Sequence, residues 1–286
     1  MARDIYAEVT DSIIKALEAG TAPWVRPWAG GGPRNAITGH EYRGLNVLLL
    51  SCRVMERGYA DDRWLTFKQA QSNGGHVRKG EKSTMVTFWQ FNKLAKKDAE
   101  TGEETTRSVP LLRVYHVFNV AQCDGLTLKA PEANVFDLTH DGARDTIAKS
   151  GAVVYHYGDR AFYDPAGDRI VLPQVEKFQD EAGYWTTALH ELTHWTGHAK
   201  RLNRVFGKRF GDDAYAAEEL VAEIGSAFLC ARLKIAGRLQ HPEYVASWLK
   251  VLKGDKRAIF TASSAAQKAA DLLAGSELAA EEVGAS

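Results

Sequence analysis

Cysteine is scarce, with only Cys52, Cys123 and Cys230 in a chain of 286 residues. So few thiols cannot brace a protein of this length, which excludes a disulfide scaffold and favours reduced side chains in the interior. Long apolar runs are missing too. The best, Leu45 to Cys52, is interrupted by Asn46 and Ser51 and falls far short of the roughly 18 apolar residues of a membrane helix. The first residues include Asp4, Glu8 and Asp11 and no apolar segment, unlike a secretory signal. The expectation is a soluble, cytoplasmic protein with no membrane partner. Net charge is absent as well, because 36 Lys+Arg balance 36 Asp+Glu. With 45% hydrophobic and 25% charged residues, the composition is that of an ordinary globular protein. At roughly 100–200 residues per domain, its length suggests two domains.

The zero sum hides an uneven distribution. Residues 1–130 hold 18 basic and 14 acidic side chains, a net of +4, and residues 131–286 hold 18 and 22, a net of −4. Within 20–97 there are 13 basic and 5 acidic residues, a local +8. A basic front half joined to an acidic rear half points to polyanion contact on one side.

Periodicity sketches an α+β chain. Ile5, Val9, Ile13 and Leu17 recur at helical spacing before Gly20, which predicts a helix over 4–19. Residues 21–40 hold three prolines, Gly30, Gly31, Gly32 and Gly39, together with Trp24, Arg26, Trp28 and Arg34. This loop either pins its rings to a core or closes over a ligand. A buried helix is expected over 44–57, a strand over 63–67, a short helix over 68–72, and strands over 84–92 and 111–119 that pair antiparallel. The mixed-charge stretch 93–108 reads as an exposed hairpin loop. On the first of the paired strands, alternation puts Met85, Thr87, Trp89 and Phe91 on one face and Val86, Phe88 and Gln90 on the other. One face is core; the other supports a helix or offers rings to nucleic-acid bases. Residues 127–137, around Pro131, are the candidate linker between an N-terminal domain, 1–126, and a C-terminal domain, 138–286. After a helix over 138–150, short strands are expected at 152–157, 161–164 and 169–172. Beyond Pro173 the chain is mostly helical, with an Ala/Glu-rich frayed tail.

The strongest chemical signal is His190-Glu191-Leu192-Thr193-His194. On a helix, His190 and His194 project from one face one turn apart and can grip a single metal ion, with Glu191 beside them as general base. About 0.02 such matches are expected by chance at this composition. A catalytic zinc needs a third protein ligand. Gly197 fits the metzincin extension, but Lys200 occupies its ligand position, and His198 lies just beyond the helix stop. A helix over 213–235, capped by Asp212 or Asp213, offers Glu219 and Glu223 four apart on one face. In the gluzincin arrangement the first is the third ligand and the second hydrogen-bonds a liganding histidine. Glu218 points about 100° away and reads as solvated. Zn2+ is the expected ion, with Mn2+ as an alternative. Tyr184, Tyr215 and His198 are candidate donors to the oxyanion of a hydrolytic transition state. The strand Arg169–Leu172 is a candidate edge for adding an extended substrate.

With these residues in view, the sequence resembles the ArdC antirestriction family, through YRGLNVLLL (42–50), WLTFKQAQSNGGHVRKGEKS (64–83) and YHVFNVAQCDGL (115–126) in front. DRIVLP (168–173), HELTHWTGH (190–198) and YAAEELVAEIGSAFLCA (215–231) carry it behind. The resemblance implies an N-terminal α+β domain with a small antiparallel sheet that binds single-stranded DNA, and double-stranded DNA more weakly. It also implies a C-terminal zincin-like metallopeptidase domain and a role in shielding incoming plasmid DNA from restriction during conjugation. The basic strings place Arg43, Lys68, Arg78, Lys79 and Lys82, with Trp64 and Trp89, in the DNA-binding half. No helix-turn-helix or other base-reading motif is evident, which suits binding without sequence preference. Two other readings remain: a metallopeptidase whose front half recognises a protein substrate or restriction enzyme, and a DNA-binding protein whose metal is structural.

Overall fold

The computed structural model describes residues 4–24, 32–97, 104–129, 138–205, 213–236 and 242–275. Among the described residues, eight α-helices and nine strands follow in chain order: α1 (Ile5–Glu18), β1 (Arg34–Asn35), α2 (Leu45–Arg57), β2 (Arg63–Leu65), α3 (Phe67–Ser72), β3 (His76–Val77), β4 (Thr84–Lys97), β5 (Glu104–Asn119), β6 (Cys123–Asp124), α4 (Asp141–Ser150), β7 (Val153–His156), β8 (Phe162–Asp164), β9 (Arg169–Leu172), α5 (Glu181–Thr196), α6 (Asp213–Arg232), α7 (Val245–Gly254) and α8 (Ala258–Leu273). They form two compact units. One takes residues 1–33, 41–57 and 130–286, the other 34–40 and 58–129. The sequence boundary at 127–137 and this grouping differ, because α1 and α2 pack with the C-terminal helices. Of the candidate linker, 130–137 lies outside the described residues, as do Arg26, Trp28, Asp212 and most of the Ala/Glu-rich tail.

In the larger unit, α1 starts where Asp4 accepts a hydrogen bond from the Ala7 amide at 3.1 Å. It buries Val9, Ile13 and Leu17, the stripe that its spacing predicts, against α2 and α7. Gly20, at φ +77°, ends the helical run in a conformation costly for any residue with a Cβ. Trp24 is buried edge-on to Trp248 of α7, with ring centres 5.7 Å apart, so this part of the 21–40 segment is pinned to a core. Helix α6 is packed between α5, α7 and α8 and is buried at Ala216 and continuously from Glu218 to Ala231. Its described residues begin at Asp213, next to the other cap candidate, Asp212, which lies outside them. The three-stranded sheet is ordered β7-β9-β8 and packs through β8 and β9 onto α5. Since β9 pairs parallel with β7 and antiparallel with β8, it has no free backbone edge. The expectation that Arg169–Leu172 adds a substrate strand is thus corrected: the edges are β7 and β8. All three cysteines are free thiols, and only Cys230 is fully buried.

The smaller unit is built on a four-stranded sheet ordered β1-β2-β5-β4, antiparallel except for the parallel β1–β2 pair. Strands β4 and β5 pair continuously from Thr84↔Val117 to Lys97↔Glu104. The mixed-charge stretch is therefore mostly strand, and only 98–103 falls outside the described residues. The ladder is made by backbone N–H and C=O groups, so a run of charged side chains does not by itself end it. At the base of the ribbon Val86 and Val117 are buried. Helix α3 opens with a capping box in which Thr66 accepts from the Gln69 amide at 3.2 Å and Gln69 accepts from the Thr66 amide at 2.9 Å. After it, Gly75 lets the chain cross close to Leu126: a Cβ there would stand 2.6 Å from the Leu126 Cδ2 atom.

Candidate metal centre and nucleic-acid surface

Helix α5 is buried on every side from Ala188 to Thr196, which is why its histidines face protein rather than water. Asp180 caps it, accepting from the Gly183 amide at 2.7 Å. Opposite lies α6, and the two helices meet at Gly225, whose missing side chain leaves room for Thr193. That close approach brings the Glu219 carboxylate between both imidazoles. His190 Nε2 is 3.5 Å from Glu219 Oε2, and His194 Nε2 is 3.6 Å from Glu219 Oε1.

The ligand atoms of His190, His194 and Glu219 all lie within 4.8 Å of one another. Ligands at about 2.0–2.1 Å from a tetrahedral ion stand about 3.4 Å apart, so the donor set fits a divalent metal in both chemistry and spacing. A carboxylate also backs each ring. Glu223 Oε2 is 3.5 Å from His190 Nδ1, and Glu218 Oε1 is 3.1 Å from His194 Nδ1. Burial opposes charge on the rings, but Glu219 and Glu223 outweigh it at His190, pushing its pKa up to about 9. Glu218 and Glu219 do the same at His194, up to about 10. Burial likewise works against an ionised Glu219, yet the two imidazoles hold it well below the usual carboxylate range. The field inside the cluster is that of a cation site. Glu191 is buried on the same helix.

Glu218 corrects the sequence reading. It does lie a step around the helix from Glu219, but α6 is enclosed on all sides, so leaving the ligand face does not bring a side chain to water. Only 6% of Glu218 is exposed.

The three candidate oxyanion donors part company. Tyr184 shares a 2.9 Å hydrogen bond with His156 Nε2. His198 accepts from the Lys200 amide at 3.2 Å and faces Asp168, outside the ligand cluster. Tyr215 stands next to the centre: burial, a 3.1 Å hydrogen bond with Tyr244 and the neighbouring Glu219 carboxylate all raise its pKa. Tyr244, near the start of α7, was not singled out by its sequence context, since no motif links it to residues so far upstream.

Among the basic and aromatic candidates, Trp64 is fully buried, edge-on to Tyr59 at 6.2 Å. Its place among the DNA-binding candidates is therefore corrected: it is core, and its ring offers no face to a ligand. Arg43 lies in the larger unit and pairs with Asp271 at 2.5 Å. Arg78 is engaged by Glu81 at 2.8 Å, Asp124 at 3.2 Å and the Ala121 carbonyl at 2.6 Å, which makes it a brace of its turn. Lys68, Lys79 and Lys82 are exposed. Trp89 is 49% exposed and Phe91 66%. They sit on one face of the ribbon, opposite Leu112 and Pro110 respectively. Phe91 shares this exposed face with Trp89, as the alternation predicts, but the sequence reading did not name it as a site.

Two family models match the chain: the N-terminal domain of anti-restriction factor ArdC over residues 3–118 and a zincin-like metallopeptidase over 141–265. A DNA primase TraC of Escherichia coli is 39% identical over 95% of this chain, but the match spans only 27% of the primase, so the chain corresponds to about a quarter of that relative. The metal-free crystal structure of the antirestriction ArdC protein from plasmid R388 superposes with a TM-score of 0.78 at 43% identity, covering 96% of this chain and 98% of that one. The Mn(II)-bound crystal structure of the same protein gives 0.79 at 40% identity, covering 98% and 100%.

Proposed function

Because the chain belongs to the ArdC family of antirestriction proteins, we propose that it binds single-stranded DNA with little sequence preference and shields incoming DNA from restriction during conjugation. The observation that carries this reading is the exposure of Trp89 and Phe91 on one face of the ribbon. Rings left in water are unfavourable for a folded domain; unpaired bases cover them by stacking, whereas duplex bases are already stacked on each other. Lys68, Lys79 and Lys82 supply exposed cations for phosphate. Binding is then expected to be stronger for single strands than for duplex and to weaken steeply with salt. The test is fluorescence anisotropy of the full chain with a labelled oligonucleotide, single-stranded or duplex, at about 50 and 200 mM salt. Absence of binding to the single strand at low salt overturns the reading.

The zincin-like domain supports a second activity, peptide hydrolysis. His190, His194 and Glu219 would hold the divalent ion, which when bound would supply Lewis acidity. Glu191 takes the proton from the attacking water and passes it to the departing amine. Burial of Glu191 favours this transfer by excluding competing solvent. Tyr215, beside Glu219, is the hydroxyl best placed to donate to the developing oxyanion. The substrate under this reading is a protein, a restriction enzyme included. Comparing wild type with Glu191→Gln in a conjugative transfer into a restricting host separates the two activities. If the variant still protects DNA, protection does not require hydrolysis.

A further inference from the structure

Behind His194 stand two more side chains in series. Glu218 Oε1 is 3.1 Å from His194 Nδ1, and Arg204 grips both oxygens of that carboxylate, with Nε 2.9 Å from Oε2 and Nη2 2.8 Å from Oε1. The same guanidinium donates from Nη1 to Thr196 Oγ1 at 2.8 Å and from Nη2 to the Thr193 carbonyl at 2.6 Å. One planar fork therefore joins the last turn of α5, the segment after it and the first turns of α6. The pair is deeply enclosed, with 10% of the Arg204 side chain and 6% of Glu218 exposed.

A buried ion pair contributes little to stability, because desolvation consumes most of its Coulombic gain. Here the pair has a second use. The Arg204 charge offsets that of Glu218, so Glu218 can accept a hydrogen bond from His194 Nδ1–H without adding net negative charge to the centre. An imidazole whose Nδ1–H is engaged keeps its proton there and presents the Nε2 lone pair to an ion. Glu223 stands in the equivalent place behind His190. The spacing of Glu219 and Glu223 indicates only that one; Glu218 and Arg204 are brought in by the tertiary fold.

We infer that Glu218, gripped by Arg204, is a positioning residue for the metal ligand His194, and that Arg204 controls metal affinity through it. This rests on His190, His194 and Glu219 being the ligands. The test titrates Mn(II) into the full-length chain and reads free and bound ion by electron paramagnetic resonance. Glu218→Gln is expected to weaken Mn(II) binding about ten- to a hundred-fold and to alter the bound-ion line shape. Arg204→Met should reproduce most of that loss, and the double variant should be no worse than Glu218→Gln alone. Arg204→Lys, which keeps the charge but not the fork, should recover only part. Wild-type affinity and line shape in Glu218→Gln, with only a lower unfolding midpoint, would reduce the pair to a structural contact and overturn the inference. Should Glu218→Gln not fold, unchanged affinity in Arg204→Lys and Arg204→Met overturns it equally. Glu219→Gln serves as the separate control: if that variant binds Mn(II) like wild type, the ligand assignment itself fails.

Discussion

Gly225 lies directly against Thr193: a Cβ at position 225 would stand 2.6 Å from the Thr193 Cγ2 atom and 3.2 Å from its hydroxyl oxygen. Thr193 is fully buried and its hydroxyl donates to the Leu189 carbonyl at 2.8 Å, so it has no room to yield. This contact sets how near α5 and α6 approach, and hence how near Glu219 comes to the two imidazoles.

Gly225→Ala should therefore weaken Mn(II) or Zn(II) binding about tenfold or more, because outer contacts that tune ligand geometry are worth this much. The gain in helix propensity, about 1 kcal/mol, acts in the opposite direction on stability. Thr193→Ala in the same chain removes the obstructing methyl and should restore affinity. Isothermal titration of both variants checks this; an unimpaired Gly225→Ala would show that the helix spacing is not limiting.

Trp64 and Trp89 should respond in opposite ways. Trp89→Ala and Phe91→Ala are each expected to weaken single-stranded DNA binding by about 1–3 kcal/mol while changing stability by less than about 0.5 kcal/mol, as exposed positions do. Trp64→Ala should instead lower stability by about 3–5 kcal/mol through the cavity it leaves. Anisotropy titrations paired with urea unfolding separate the two classes. Equal DNA affinity in wild type, Trp89→Ala and Phe91→Ala would exclude the ribbon face as the binding surface.

Asp168 gives an acid-side signature. Hydrogen bonds from Arg201 outweigh partial burial and, with Tyr163 and the nearby charges, hold its pKa down at about 2. A depressed carboxylate pKa contributes stability above the unfolded value near 4 and loses it as pH falls through about 2. Asp168→Asn should thus be about 1–2 kcal/mol less stable than wild type at pH 7, allowing for partial solvent screening. The difference should shrink progressively between pH 4 and pH 2. A constant difference across that window in denaturant unfolding would assign the loss to packing instead.

A fragment ending at residue 130 should fold poorly. It retains α1 and α2 but removes α7 and α8, against which they pack, exposing Val9, Ile13, Leu17, Leu48 and Leu50. Removing residues 1–33 and 41–57 as well leaves the smaller unit with its sheet complete. Circular dichroism and size-exclusion chromatography of 1–130 should report reduced helicity and association. A monomeric fragment with full helix content would refute this dependence.

Short-range spacing determined what the sequence could determine by itself. His190 and His194 share a face on any helix that contains them, and so do Glu219 and Glu223, because four residues make nearly one turn. The α1 stripe and the β4–β5 alternation follow from the same local periodicities. Burial, in contrast, was decided by what each element packs against. Trp64 and Trp89 both stand on strands beside basic residues, yet one is fully enclosed and the other half exposed. Glu218, one step around the helix from Glu219, is drawn inside because neighbours enclose α6. Arg204 meets it because the chain turns back after α5. A helix or strand period specifies which residues share a face, but whether that face meets solvent, core or another helix depends on chain many residues away, and only the tertiary structure supplies it.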